Sequence, residues 1–372
     1  MKHSTSILAQ RAYLIKEDSW RKAYPNIKVI KTTFILALER VCMRYRRRQV
    51  VKRFVILVIF LALLITSSSI SSNNVMLNDH SHVTWKKTYN TESELIAASD
   101  LVITGTVIGQ YQEQRANLIF TKSIIQIDHI FKGSSAGSTI EVLQTGGSYN
   151  GITTKAIEGA DLLQVNKVYQ LALTLTEPDD IFGQYYLITG GFQGVSSISN
   201  QNTNGLQQPS FSIDSGYFSG EPSLSLYWGV DPTVYFHYFG NKSSTAVYMG
   251  FVSWNYSEFH FASTTSTSPD VGVYTYLYGQ VGWYAMTDLD TNGTLIYGAE
   301  VDVNLSEATV LTSDQYQAIL CHEAGHALGL NGHYVGGSAT IMRQYAEDFM
   351  NSFNTPRTRD QNARNAIYSN LY

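Results

Sequence analysis

Cysteine is almost missing from this 372-residue chain, which has only Cys42 and Cys321. Two cysteines give no disulfide framework and no zinc-finger spacing. An apolar segment separates them, so they are not expected to share a compartment, and Cys321 reads as a small apolar residue. Charge is scarce as well: Asp, Glu, Lys and Arg make up 15% of the residues, against roughly a quarter in ordinary domains. It is also uneven. Residues 1–53 carry 14 Lys+Arg and 3 Asp+Glu, which leaves the other 319 residues with 12 basic and 27 acidic groups, a net of −15. A body without a basic patch is a poor partner for nucleic acid, which is held by clustered Lys and Arg. An acidic, weakly charged body suits a soluble exported protein.

The apolar run at 54–65 has 12 residues, short of the ~20 that a membrane-spanning helix needs. Arg44, Arg46, Arg47, Arg48, Lys52 and Arg53 precede it, and a Ser-rich stretch to Ser72 follows. A basic region, a short apolar core and small residues form the layout of a secretory signal, although no A-x-A site is present. The competing reading is an uncleaved membrane anchor through 54–66. Both readings place the body outside, because basic residues stay on the cytoplasmic side. Residues 1–72 are therefore expected to be a leader. Met43 opens a signal of more ordinary length, which makes 1–42 a candidate for untranslated sequence.

After the leader, β-branched runs at 101–108, 124–131, 139–143, 168–173 and 185–188 alternate with Gly, Ser and Asn clusters. This predicts a small all-β barrel or sandwich over 83–196. A short helix at about 92–98, capped by Thr91, is expected within it. The stretches SDLVITGTV, IDHIFKG, VLQTGG, VNKVYQLAL and ITGGFQG resemble a small β-domain of exported bacterial proteins. No catalytic cluster is visible there, so a targeting, folding or prodomain-like role is expected. Residues 197–210 are polar and aperiodic, and read as a linker. Residues 211–372 open with aromatic-rich runs, read as strands, at 227–228, 233–239, 246–251, 271–278 and 294–303. Helical signals appear only after Leu311, so an α+β domain is predicted.

The chemistry concentrates at 322–342. Thr312 with Gln315 forms a capping-box pattern ahead of a helix expected over 314–328. His322 and His326 lie four apart and share a face of that helix, so two neutral imidazoles can take two corners of a zinc tetrahedron. Glu323 follows the first His and points beside such a metal, placed to take a proton from water. Gly329 can end the helix in a left-handed turn. His333 is the next metal-binding residue, and Met342 follows in Ala339-Thr340-Ile341-Met342.

His-Glu-x-x-His-x-x-Gly with a further His and a downstream Met resembles the metzincin clan of metallopeptidases, and most of all its matrixin-type branch. The resemblance implies a twisted mixed sheet with a zinc-site helix. It implies one catalytic Zn2+ on His322, His326 and His333, with Glu323 as general base and Met342 as the floor of the site. By the same likeness, 279–304 would supply the bulge and edge strand that pair with an extended substrate, and 358–368 the closing helix. The family's third His stands where this chain has Gly332, one residue before His333. Either the return loop is one residue longer, which glycine can absorb, or another ligand such as Glu347 completes the site.

Asp288-Leu-Asp290-Thr-Asn292-Gly293 is similar to the start of a calcium loop, but the twelfth position is Ala299. A tight turn into the next strand is the reading adopted, and Ca2+ has no other support. His237 and His260 do not match the spacing of a second zinc site. Cys42 lies outside the cysteine motif that keeps some matrixins latent, and no such switch is found. The sequence thus predicts an exported zinc endopeptidase, secreted or on the outer face of a membrane anchor, acting on peptide or protein substrates. A surface binding protein with a zinc-peptidase fold and little turnover is the alternative.

Overall fold

The computed structural model describes residues 80–156, 161–178, 181–198, 208–213, 222–229, 233–334 and 339–369. The expected leader at 1–72 and all but the ends of the 197–210 linker lie outside the described residues. Contacts separate Met1–Val75 from Met76–Tyr372, and the described residues belong to the second unit. In chain order its elements are β1 (His80–Trp85), α1 (Glu92–Ala98), β2 (Leu101–Arg115), β3 (Leu118–Lys132), β4 (Thr139–Thr145), β5 (Gly147–Tyr149), β6 (Ile152–Thr154), β7 (Val168–Leu175), β8 (Tyr186–Ile188) and β9 (Val195–Ser197). There follow β10 (Tyr227–Trp228), β11 (Thr233–Tyr238), α2 (Ser244–Val252), β12 (His260–Ser263), β13 (Val271–Tyr276), β14 (Trp283–Asn292), β15 (Leu295–Asn304), α3 (Leu305–Ala308), α4 (Ser313–Ala327) and α5 (Thr358–Tyr368).

The β-branched runs close into a barrel. β2 pairs with β3 on one side and β7 on the other, and β4 and β8 complete the ring, with β9 added to β7. Alternation along β2 explains the burial: Leu101, Ile103 and Val107 face the barrel interior, while Val102 points out against Leu95 of α1. Thr91 caps α1, as the sequence predicted, and forms a full capping box with Glu94 that the sequence reading did not include.

The second sheet is mixed, in the order β12-β11-β13-β15-β14-β1. β11, β12, β13 and β15 run parallel, and β14 is antiparallel to β15. Helices α2 and α4 pack in the same core cluster as the inner side chains of this sheet. The run at 246–251, expected as a strand, is part of helix α2. Ala246, Val247, Gly250 and Phe251 are buried at helical spacing, but apolar neighbours on every side hid that period. Gly250 lets α4 approach, since a Cβ there would stand 3.0 Å from the Cys321 nitrogen. Asp288 and Asp290 lie within β14, and the tight turn follows at Gly293, with φ 65°.

β1 was not expected in this sheet. It lies ahead of the barrel in sequence, yet it pairs antiparallel with β14 along the sheet's outer edge, from His80 opposite Leu289 to Trp85 opposite Trp283. Barrel and sheet meet over a shared apolar cluster that includes Trp85, Phe120, Phe182, Tyr185, Tyr278 and Trp283. A polar contact flanks it. Asn117, at the β2–β3 turn, donates through Nδ2 to Asp302 Oδ2 at 2.8 Å and also to Glu300. The Tyr278 hydroxyl lies 3.0 Å from the other Asp302 oxygen. Burial, and then the Glu300 charge, push the Asp302 carboxyl well above the usual carboxylate range.

The folded chain therefore holds a proton at Asp302 that the unfolded chain releases near pH 4, so this group's contribution to stability falls as pH rises. Asp302→Asn should flatten that dependence: its midpoint of urea unfolding should change less between about pH 5 and about pH 8 than the parent's. A parent and variant with equal slopes would contradict this account.

Candidate metal centre

Helix α4 begins at a capping box in which Thr312 and Gln315 each satisfy the other's backbone nitrogen. Its C-terminal half is entirely buried, so the polar groups it carries there must find partners inside the protein. His322 Nδ1 lies 2.8 Å from the Ile341 carbonyl, and His326 Nδ1 lies 2.8 Å from the Leu330 carbonyl. A carbonyl only accepts, so each Nδ1 carries the hydrogen and each Nε2 presents a lone pair. The three Nε2 atoms of His322, His326 and His333 then meet at 3.0, 3.1 and 3.2 Å. Burial pushes the His322 pKa down to about 4. His326 and His333 are also held well down, by burial first and then by the neighbouring imidazoles. All three rings are thus neutral at ordinary pH.

Three neutral imidazoles whose Nε2 atoms converge are suited to a cation. Their separations approach the ~3.3 Å that nitrogen ligands span around a tetrahedral ion with bonds of 2.0–2.1 Å. Among the described residues, this trio is the group of His, Cys, Asp or Glu side chains able to hold a metal ion. Glu347 is not part of it. Its carboxylate accepts from the Thr88 backbone nitrogen at 3.0 Å. His237 is held at the Thr264 carbonyl, 2.6 Å away, and His260 is exposed, so neither joins the cluster.

The return loop that brings in His333 depends on two glycines. Gly329 has φ 118°, and a Cβ there would come within 2.4 Å of the Leu226 carbonyl oxygen. Gly332 has φ 107°, a conformation costly for any other residue. This is the position at which the sequence pattern required an extra residue to be absorbed.

Glu323, which follows His322 on α4, is fully buried. Oε1 accepts from the Thr84 hydroxyl at 2.5 Å, and Oε2 from the Thr287 hydroxyl at 2.6 Å. Burial raises its pKa to about 7, and the two hydroxyl donors oppose that rise. Met342 lies beneath α4, in the core shared with that helix. The turn that presents it is tied to Asp360 of α5, which accepts from the Thr340 hydroxyl, from the Ile341 nitrogen at 3.0 Å and from the Arg357 nitrogen at 2.7 Å. Phe349 stacks on His322 with ring centroids 5.0 Å apart.

Thr84, Thr287, Phe349 and Asp360 were absent from the sequence-level site. So was His82, whose ring stacks on His326 at 4.3 Å. For His82 and Thr84 the one available signal was the polar-apolar alternation of His82-Val83-Thr84-Trp85 ahead of the barrel. Asp360 shows as an acidic residue in the first turn of a predicted helix, with nothing to connect it to Met342.

Gly325 shows how tightly the centre is built. A Cβ at that position would stand 2.3 Å from the Met342 sulfur and 2.8 Å from the Trp254 ring. Gly325→Ala must displace one of them. It should cost about 1–3 kcal/mol in urea unfolding and lower the metal content of purified protein. An alanine variant with parental stability and metal content would refute the packing argument.

No protein-family model matches the chain, and no curated protein matches it. Among solved structures it is similar to the structure of myroilysin, with a TM-score of 0.28 and 14% identity, covering 40% of this chain and 98% of that one.

Proposed function

We propose that the chain is an exported zinc-dependent endopeptidase of metzincin type, matrixin-like in its motif. The observation that carries the reading is the convergence of three imidazole Nε2 atoms, with the buried Glu323 carboxylate next along the same helix. His322, His326 and His333 would hold the ion, and three neutral nitrogens with a fourth position free is the donor set of catalytic zinc. When bound, zinc supplies Lewis acidity, which makes water acidic enough to attack at neutral pH and polarises a peptide carbonyl. Glu323 would take the proton of the attacking water and return it to the leaving amine. Thr287 fixes Glu323 Oε2, and Oε1, which accepts from Thr84, is the oxygen that would face the water. The outer edge of β14, which pairs with β1, is the edge along which an extended peptide would lie as a further strand in place of β1. The acidic body and the basic, apolar leader support export, either as a secreted protein or on the outer face of an anchor at 54–66.

Purified protein should contain about one zinc per chain, and His326→Ala should lose it. Glu323→Ala should keep the zinc while casein hydrolysis falls by about 10²-fold or more relative to the parent chain. A chelator should abolish hydrolysis, and zinc should restore it. Full hydrolysis by the Glu323 variant would overturn the reading. Stoichiometric zinc with no hydrolysis across a peptide library, by the intact chain and after limited proteolysis alike, would favour a binding protein instead.

A further inference from the structure

The outer edge of β14 is already occupied by the chain itself. β1 runs antiparallel along it with a bulge between Thr84 and Trp85. On its other side, the Trp85 nitrogen donates to the Gln344 carbonyl at 3.2 Å, and Trp85 bridges in parallel to Tyr345. The strand is therefore held between the sheet edge and the segment that follows Met342, directly across the metal centre.

Its side chains divide as a strand requires. His82 and Thr84 point toward the centre. The His82 ring stacks on His326 at 4.3 Å, and the Thr84 hydroxyl holds Glu323 Oε1 at 2.5 Å. Val83 and Trp85 point the other way, into the apolar cluster shared with Phe120, Phe182 and Tyr185 of the barrel side. Residues 82–85 are all buried. Gly191 lies flat against the Trp85 ring, where a Cβ would stand 3.0 Å from three of its carbons.

We propose that the His80–Trp85 strand is an internal inhibitor. It lies in the cleft as a substrate would and engages the general base, while the barrel acts as the clamp that holds it there. The effect on turnover rests on the peptidase reading, but the covering of the centre does not. Latency of this kind uses backbone pairing and a hydroxyl rather than a thiolate. A sequence search for a cysteine switch therefore passes over it. It also gives the barrel a defined task. Lys86 and Lys87 are exposed immediately after the strand, so a cut there separates the inhibitor from its clamp.

The test uses the full chain and two variants, Trp85→Ala, which removes the anchor in the barrel, and Thr84→Ala, which removes the contact with Glu323 and leaves the barrel interface intact. The first readout needs neither metal nor turnover. It is the rate at which diethyl pyrocarbonate modifies His322, His326 and His333 in metal-free protein, followed by mass spectrometry. The second is hydrolysis of a quenched fluorescent peptide by zinc-loaded protein. Loss of a large buried anchor favours local opening, so Trp85→Ala should speed modification at least about tenfold. Hydrolysis should rise in both variants. Modification of the parent and Trp85→Ala within a factor of about two of each other, with both folded by circular dichroism, would overturn the inhibitor. If Trp85→Ala does not fold, hydrolysis by Thr84→Ala decides, a rise supporting the proposal and an unchanged rate overturning it. Faster modification without zinc binding or hydrolysis would sustain the strand as the cover of the centre and sink the peptidase reading, so the two can fail separately.

Discussion

Lone pairs aimed at a single point repel one another unless a positive charge lies among them. At 3.0–3.2 Å between nitrogens, that constraint governs the core of this protein. The backbone removes the alternatives: carbonyls at Ile341 and Leu330 fix the two helix imidazoles in the tautomer that points Nε2 inward. Burial keeps the rings from acquiring protons. The surrounding fold holds this arrangement in place. The Gly329 and Gly332 turns return the chain, Asp360 fixes the turn before Met342, and Gly325 lets that turn press against the helix.

What the sequence disclosed was local. A capping box, two histidines at one-turn spacing and a glycine stop all lie within a short stretch of one helix and its exit, and each obeys a rule that needs no knowledge of the rest of the chain. The same holds for Thr91 and the short helix it caps, and for the β-branched runs that close into the barrel. His333 was legible as a candidate, because the loop joining it to the helix is short.

What stayed hidden was non-local. Thr84 and Glu323 are 239 residues apart in sequence. A strand's residues alternate in the same way whichever sheet they join, so nothing in His82-Val83-Thr84-Trp85 indicated β14 as the partner. Asp360 was obscure for a related reason: its three hydrogen bonds run to residues on both sides of an intervening loop. Helix α2 was concealed differently, since a segment that is apolar on every face loses the period by which an amphipathic helix is recognised.

The short connection between β1 and α1 adds a consequence to the position of the strand. Six residues pairing with one sheet edge would make a weak ligand in free solution. Tethered through residues 86–91 to the helix that precedes the barrel, the strand is presented at an effective concentration in the millimolar range. Modest intrinsic affinity is then enough to fill the cleft almost continuously. One cut in the tether replaces that local concentration with the bulk concentration of the released piece, and the strand is lost by dilution although none of its contacts has changed.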